Sequence, residues 1–288
     1  MAKNLAKDAG KEAIVALGWW KAHRFLLLRR LCQLSIIGLF MLGPTLGILK
    51  GNLSSSILFD TIPLSDPLLV LQIMATGHWP EVNALIGVAI VVIFYAVLAP
   101  RAFCAWVCPL NLVTDLAAWM RRKLNLKTSY KWSAKLRYWL IPVLLLGSAV
   151  SGSLLWAWVD PVATLHRGLV FGMGAGWIVI ALVFLLDLVL VEHGWCGHLC
   201  PLGATYGVIG SKSIIRITAT NREACTKCMD CYNVCPEPEV LRQPLKEGDR
   251  RVMSQDCISC GRCIDVCPEQ VLEFRSKRSI IKSIDPSD

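Results

Sequence analysis

Several signatures of common enzyme classes are missing from this chain. It has no glycine-rich loop of the kind that cradles nucleotide phosphates, no C-x-x-C-H for covalent haem, and no spacing that suggests a catalytic triad. Nucleotide-driven, c-type haem and triad hydrolase chemistry are thereby set aside. Discontinuous helices with polar midplane sites, the mark of a secondary transporter, are also missing. Charge is scarce: 18% of the 288 residues are charged, with 21 acidic residues against 30 Lys and Arg. The resulting net charge of +9 follows particular segments rather than one continuous patch, so nucleic acid is not an expected partner. What the chain has in quantity is apolar residues (55%, mean hydropathy +0.51) and 13 cysteines.

Eight of those cysteines fall in one frame used twice. Cys225-Thr-Lys-Cys228-Met-Asp-Cys231-Tyr-Asn-Val-Cys235-Pro236 returns as Cys257-Ile-Ser-Cys260-Gly-Arg-Cys263-Ile-Asp-Val-Cys267-Pro268. Each run reads C-x2-C-x2-C-x3-C-P, the spacing with which a chain wraps a [4Fe–4S] cluster. Three closely spaced thiolates cap three irons, and the fourth, before the proline, reaches the other cluster. The expectation is therefore two [4Fe–4S] clusters with crossed ligation. Cys225, Cys228, Cys231 and Cys267 would hold one, and Cys257, Cys260, Cys263 and Cys235 the other. Zinc knuckles need two C-x-x-C pairs and no such repeated frame. A disulfide framework belongs to short secreted domains.

The apolar residues gather in four runs: about Leu31 to Leu49, Ala84 to Leu98, Tyr138 to Trp158, and Gly172 to Val191. Runs of this kind read as membrane spans. Gly43-Pro44 is expected to kink the first run. Arg29-Arg30 precedes it, but no small-residue cleavage site follows, so an uncleaved first span is expected. Lys and Arg concentrate in residues 1–30, in the 100–137 loop (Arg101, Arg121, Arg122, Arg137) and after the fourth run, while the loops at 50–83 and 159–171 are nearly bare. By the positive-inside rule both termini would be cytoplasmic. The expected architecture is a basic N-terminal segment (1–30), an all-α four-helix transmembrane bundle (31–201), a connector (202–216), an α+β two-cluster bacterial-ferredoxin-like domain (217–275) and a polar tail (276–288).

A second repeat lies in the apolar part. Asp66-Pro67 precedes Phe103-Cys104-Ala-Trp-Val-Cys108-Pro109-Leu110, and Asp160-Pro161 precedes Trp195-Cys196-Gly-His-Leu-Cys200-Pro201-Leu202. On a helix Cys104 and Cys108, like Cys196 and Cys200, share a face. Four thiols could converge if the halves pack symmetrically, to hold a metal or a redox dithiol beside a quinone head group, or simply to pack helix ends. Asp187, set among Leu and Val, and His198 are candidate proton acceptors from a quinol. Glu192 and His193 are read as interface residues, Asp66 and Asp160 as turn or helix starts, and His78 and His166 as ordinary loop residues. Cys32 is read as packing.

These features resemble the NapH family of ferredoxin-type subunits of periplasmic nitrate reductase systems. The resemblance is carried by Gly18–Trp20, Leu28–Cys32, Gly51-Asn52, Leu58–Thr61, Asp66–Leu68, Phe103 to Asn111, Val191 to His198 and both cluster frames. It implies a multi-pass protein of the bacterial inner membrane that takes electrons from quinol. It would pass them, with a NapG-like ferredoxin partner, towards nitrate reduction. A NapC-like tetrahaem cytochrome and a cytoplasmic ferredoxin-type maturation protein are further implied partners. The NosR, CcoG and MauN groups share the plan, so methylamine or copper-related roles are rivals. A docking or assembly factor without turnover is the reading from another class.

Overall fold

The apolar runs fold as helices, but each stops short. The computed structural model describes residues 9–43, 47–126, 132–172, 174, 176–246 and 248–276. Expectations for Lys3, Lys7 and Pro44, and for the tail beyond Ser276, lie outside the described residues. Residues 31–41 of the first run fall in α1 (Arg24–Met41, 18 residues). After it come α2 (Pro67–Ala75), α3 (Val82–Val97, 16 residues), α4 (Ala102–Trp106), α5 (Leu110–Lys123) and α6 (Leu136–Ser151, 16 residues). Then come α7 (Pro161–Phe171), α8 (Gly176–Leu185, 10 residues) and α9 (Pro201–Ile209).

Identifiable breakers set these limits. Pro100 follows α3. Gly152, with φ 64°, closes α6 and donates its N–H to Ser148. After Leu185 the backbone loosens into a π turn over Leu186–Leu190 and becomes extended at Val191. At 1.5 Å per residue, helices of this size measure about 24–27 Å, under the roughly 30 Å of a hydrocarbon core. The longest, α1, begins at Arg24 and turns Arg29 and Gln33 into the interior. Among the described residues no helix is long and apolar enough to cross a membrane. The expectations of a four-helix transmembrane bundle and of multi-pass inner-membrane placement are corrected accordingly. The architecture is mixed helix and sheet.

The cations that suggested topology do something else. Arg101 and Arg121 are 1% exposed and Arg137 is 0% exposed; they are interior pairing groups, not a wet loop. The bare loop at 50–83 also folds. It forms an antiparallel sheet of β1 (Leu49–Gly51), β2 (Ser55–Leu58) and β3 (Ile62–Ser65), with Leu49 opposite Leu58 and Ser55 opposite Ser65, and then α2.

The repeat is visible in three dimensions. The order α2, α3, α4, α5 is matched by α7, α8, a π turn at Trp195–Leu199, and α9. Asp66 and Asp160 each cap their helix, accepting from Leu68 N and Val162 N at 2.9 Å, with proline at the next position. Leu68, Val162, Leu165, Phe103 and Tyr206 pack between the halves, with Phe103 and Tyr206 stacked at 4.7 Å.

Burial pushes the Asp66 carboxyl up to about 7, with the neighbouring Asp160 adding to the effect against the pull of Leu68 N–H. The folded chain thus holds this proton more tightly than the unfolded one. The associated stability is present below about pH 4 and is lost as pH rises through about 7. Asp66→Asn keeps the cap acceptor and carries no charge at any pH. It is expected to match the parent protein at pH 4 and to exceed it at pH 8, by up to roughly 4 kcal/mol for a shift of this size, in denaturant unfolding at the two pH values.

Past the repeats, β4 (Ile215–Ala219) pairs antiparallel with β5 (Leu272–Ser276), Ile215 opposite Ser276 and Ala219 opposite Leu272. Under this ribbon pack Val240, Leu241, Val252, Ile264 and Val271. Two short helices, α10 (Asp230–Val234) and α11 (Arg262–Asp265), complete the unit.

Candidate iron–sulfur site

The two cysteine frames bend the backbone in the same way. Lys227 (φ 59°) and Met229 (φ 67°) of the first correspond to Ser259 (φ 52°) and Gly261 (φ 72°) of the second. Residues between the first three cysteines thus visit the left-handed region, which wraps the loop around a centre before α10 or α11 begins. At Gly261 the requirement is double, because a Cβ would also meet the Phe25 ring at 2.5 Å.

The wrapped loops create two cavities. Cys225, Cys228, Cys231 and Cys267 line one, which opens to the surface beside Lys227 and Met229. Cys235, Cys257, Cys260 and Cys263 line the other, closed over by Ile217, Val240 and Leu241. Each set takes its fourth thiol from the opposite frame. Cys267 Sγ accepts from Val271 N at 3.4 Å, one of the N–H contacts by which a chain favours thiolate sulfur. Cys257, Cys260 and Cys263 are buried, while Cys225, Cys228, Cys231 and Cys267 are half-buried. Four cysteines stand on each wall, beside Met229, Tyr232 and Glu269 at the open cavity and Glu237 at the closed one. The donor set therefore fits an iron–sulfur cluster at each.

The closed cavity is fixed to the repeats by buried charge. Arg137 donates to Glu237 Oε1 and Asp256 Oδ1, both at 2.6 Å, and to Gly197 O. Tyr138 adds its hydroxyl to Asp256 Oδ1 at 2.5 Å. Arg101 donates to Asp256 O at 3.0 Å and Cys196 O at 2.7 Å. Trp106 Nε1 donates to Ser259 O at 3.0 Å, inside the second cysteine frame. Arg29 pairs with Asp115 at 2.5 Å and also interacts with Cys260. From the N-terminal side, Gly10 N donates to Asp230 Oδ2 at 2.7 Å, and Phe25 N and Leu26 N donate to Asp265 at 3.1 and 3.0 Å. Sequence reasoning overlooked this network. Its one available signal was arginine beside apolar and cysteine positions, which was assigned to topology.

The remaining expected site residues fall in two places. Cys104, Cys108, Cys196 and Cys200 line a single cavity between the repeats. His198 is half-buried on an open groove shared with Glu192, Arg122 and Cys235. Burial pushes its imidazole down from the ordinary range, so it stands neutral, with Nδ1 free of any partner. Asp187 does not join that groove. It is fully buried, its Oδ1 accepts from Trp195 N at 2.9 Å, and its backbone carbonyl accepts from Arg121. Its carboxylate orders the turn that carries Trp195 and Cys196.

A ferredoxin-like ribbon with two four-thiol cavities, locked by buried arginines onto a duplicated cysteine-bearing unit, defines an iron–sulfur electron-transfer protein of ferredoxin type. The comparisons agree. The family described as "4Fe-4S dicluster domain" matches residues 217–268, and that described as "4Fe-4S binding domain" matches twice, at 82–127 and 173–217. The chain is 58% identical to the "Ferredoxin-type protein NapH" of Haemophilus influenzae, over 95% of this chain and 97% of that one. It is 52% identical to the NapH of Escherichia coli (88% and 90% covered). The "Methylamine utilization ferredoxin-type protein MauN" of Methylorubrum extorquens is 46% identical (89% and 90%). No solved structure matches. The chain belongs to the NapH family of ferredoxin-type proteins.

Proposed function

We propose that this chain takes electrons from quinol and passes them, with a NapG-like ferredoxin partner, towards periplasmic nitrate reduction. The observation that carries the reading is the groove whose wall holds both Cys235, a ligand candidate of the closed cavity, and the neutral imidazole of His198. Quinol gives up two protons with its two electrons, so an oxidation site needs a base next to a redox ligand. His198 supplies the base and Glu192 a second carboxylate on the same wall. Arg122, 3.1 Å from Glu192, holds that carboxylate in place. Outward-facing Trp139, Val143, Leu146 and Val150 on α6 form an apolar stripe suited to an isoprenoid tail. Lys227 and Met229 border the open cavity, where a protein partner can approach.

We assign one [4Fe–4S] cluster to Cys225, Cys228, Cys231 and Cys267 and another to Cys257, Cys260, Cys263 and Cys235. When bound, the two supply one-electron relay sites between groove and partner. Glu237, held by Arg137 and Arg101, lines both the closed site and the groove.

The test is electron paramagnetic resonance on anaerobically purified protein before and after a quinol analogue is added. Signals that grow with quinol are expected. His198→Ala should slow that reduction by about 10²-fold while leaving reduction by dithionite unchanged. Signals that respond to dithionite alone would remove the quinol reading and favour a docking or assembly role. The MauN likeness favours a second reading, delivery of electrons in methylamine use. Which acceptor partner oxidises the reduced protein separates the two.

A further inference from the structure

The four cysteines between the repeats are unused by the function proposed above. We propose that Cys104, Cys108, Cys196 and Cys200 hold one more iron–sulfur cluster, shared across the two halves. The inference rests on the iron–sulfur class of the protein and not on quinol as donor.

Spacing is the first argument. The last two cysteines of each ferredoxin frame, Cys231/Cys235 and Cys263/Cys267, are themselves spaced C-x3-C-P. The chain thus carries this unit four times. In the two ferredoxin frames it sends its two thiols to different cavities. Between the repeats the two copies instead face one another, and all four sulfurs line a single space.

The space itself is the second argument. Besides the four cysteines it is lined by Arg101, Gly203 and apolar side chains, so thiol sulfur is the one ligand donor on its wall. Four thiols around one space match a polynuclear iron–sulfur centre with one thiolate per iron.

Sulfur environment is the third. Cys108 and Cys200 each precede Pro-Leu at the start of a helix, α5 and α9. Cys200 Sγ accepts from Gly203 N at 3.4 Å as it caps α9, and Cys267 Sγ accepts from Val271 N in the same way. Such a backbone donor suits a thiolate ligand. All 13 cysteines are free of disulfides. The guanidinium of Arg101 lies on the same wall, 1% exposed, with its Nε lacking any partner. Four thiolates bring negative charge to a dry site, and a buried guanidinium offsets it. Gly203 admits that guanidinium, since a Cβ there would stand 2.9 Å from Arg101 Nη2.

The family comparison describes each repeat as a 4Fe-4S binding domain, yet a C-x3-C-P pair offers only two thiols. One centre held jointly accounts for both copies. It would stand next to the closed ferredoxin site, because Cys104 and Trp106 pack directly on Ile258 and Cys260.

The test is iron and acid-labile sulfide per chain in the full-length protein, reconstituted anaerobically with iron and sulfide. Two clusters account for about eight iron atoms and a third [4Fe–4S] for about twelve. A count near twelve is expected, falling to about eight in a Cys104→Ser/Cys196→Ser double variant whose ferredoxin-type resonance signals are unchanged. A parent count of eight or fewer, or one equivalent of zinc in place of the added iron, overturns the proposal. The parent count decides the matter even if the variant does not fold. Failure of the quinol reading leaves the count untouched, so the two are separable.

Discussion

Replacing Cys235 by serine is expected to remove the same cluster as replacing Cys257, and to spare the one assigned to Cys225, Cys228 and Cys231. Along the chain Cys235 belongs with the first frame, four residues after Cys231. In space it faces the second. The short helix α10 lifts Cys231 to one side and leaves the extended residue Cys235 pointing into the closed cavity. The expected result is a loss of about four iron atoms per chain in each single variant, and no further loss in the Cys235→Ser/Cys257→Ser double variant. Cys267→Ser should remove the other signal. If Cys235→Ser and Cys228→Ser abolish the same resonance, the crossed assignment is wrong.

The second large effect is expected at Arg137. Its guanidinium is fully buried and serves Glu237, Asp256 and Gly197 at once. Glu237 is 11% and Asp256 26% exposed. Removing the arginine would leave Glu237 with the more distant Arg101 alone, at 3.7 Å, and Asp256 with hydroxyl donors in place of a guanidinium. The loss of one member of a buried pair costs about 3–5 kcal/mol, and the partial exposure of Asp256 points to the low end. Arg137→Ala is therefore expected to lower stability by about 3 kcal/mol, read as an earlier thermal unfolding transition. Arg137→Lys should recover only part, because an ammonium cannot span both carboxylates and the Gly197 carbonyl in one plane. An unchanged transition in Arg137→Ala would show that Arg101, Tyr138 and Trp106 hold the repeats and the ferredoxin unit together without it.

How much of this was legible in the sequence depends on the element. The cysteine frames were readable because ligand chemistry fixes both residue type and spacing, and the C-x3-C-P repeat because its proline and flanking aromatics recur. The spans were misread because hydropathy counts apolar residues without seeing where the helix ends. Gly152 and the π turn after Leu185 interrupt runs that look continuous in composition. The loop at 50–83 was read as open from its missing charge, although its serines and β-branched residues pair as β1, β2 and β3. Arg101 and Arg137 were unreadable for another reason. Their partners Glu237 and Asp256 lie 100 or more residues away, and no local pattern announces such a pair. His198 could be singled out from the sequence, but the groove it lines includes Cys235 and Glu237 from a different part of the chain.

The start of α1 leans on a carboxylate from the far end of the molecule: Phe25 N and Leu26 N reach Asp265, 240 and 239 residues later. During synthesis this helix leaves the ribosome long before its cap exists. It must wait, N–H groups on water, until nearly the whole polypeptide has emerged. The same late segment carries Cys257, Cys260 and Cys263. The segment that carries the second cysteine frame therefore also completes the first helix, and a ribosome stalled before Asp265 would display that helix without its cap.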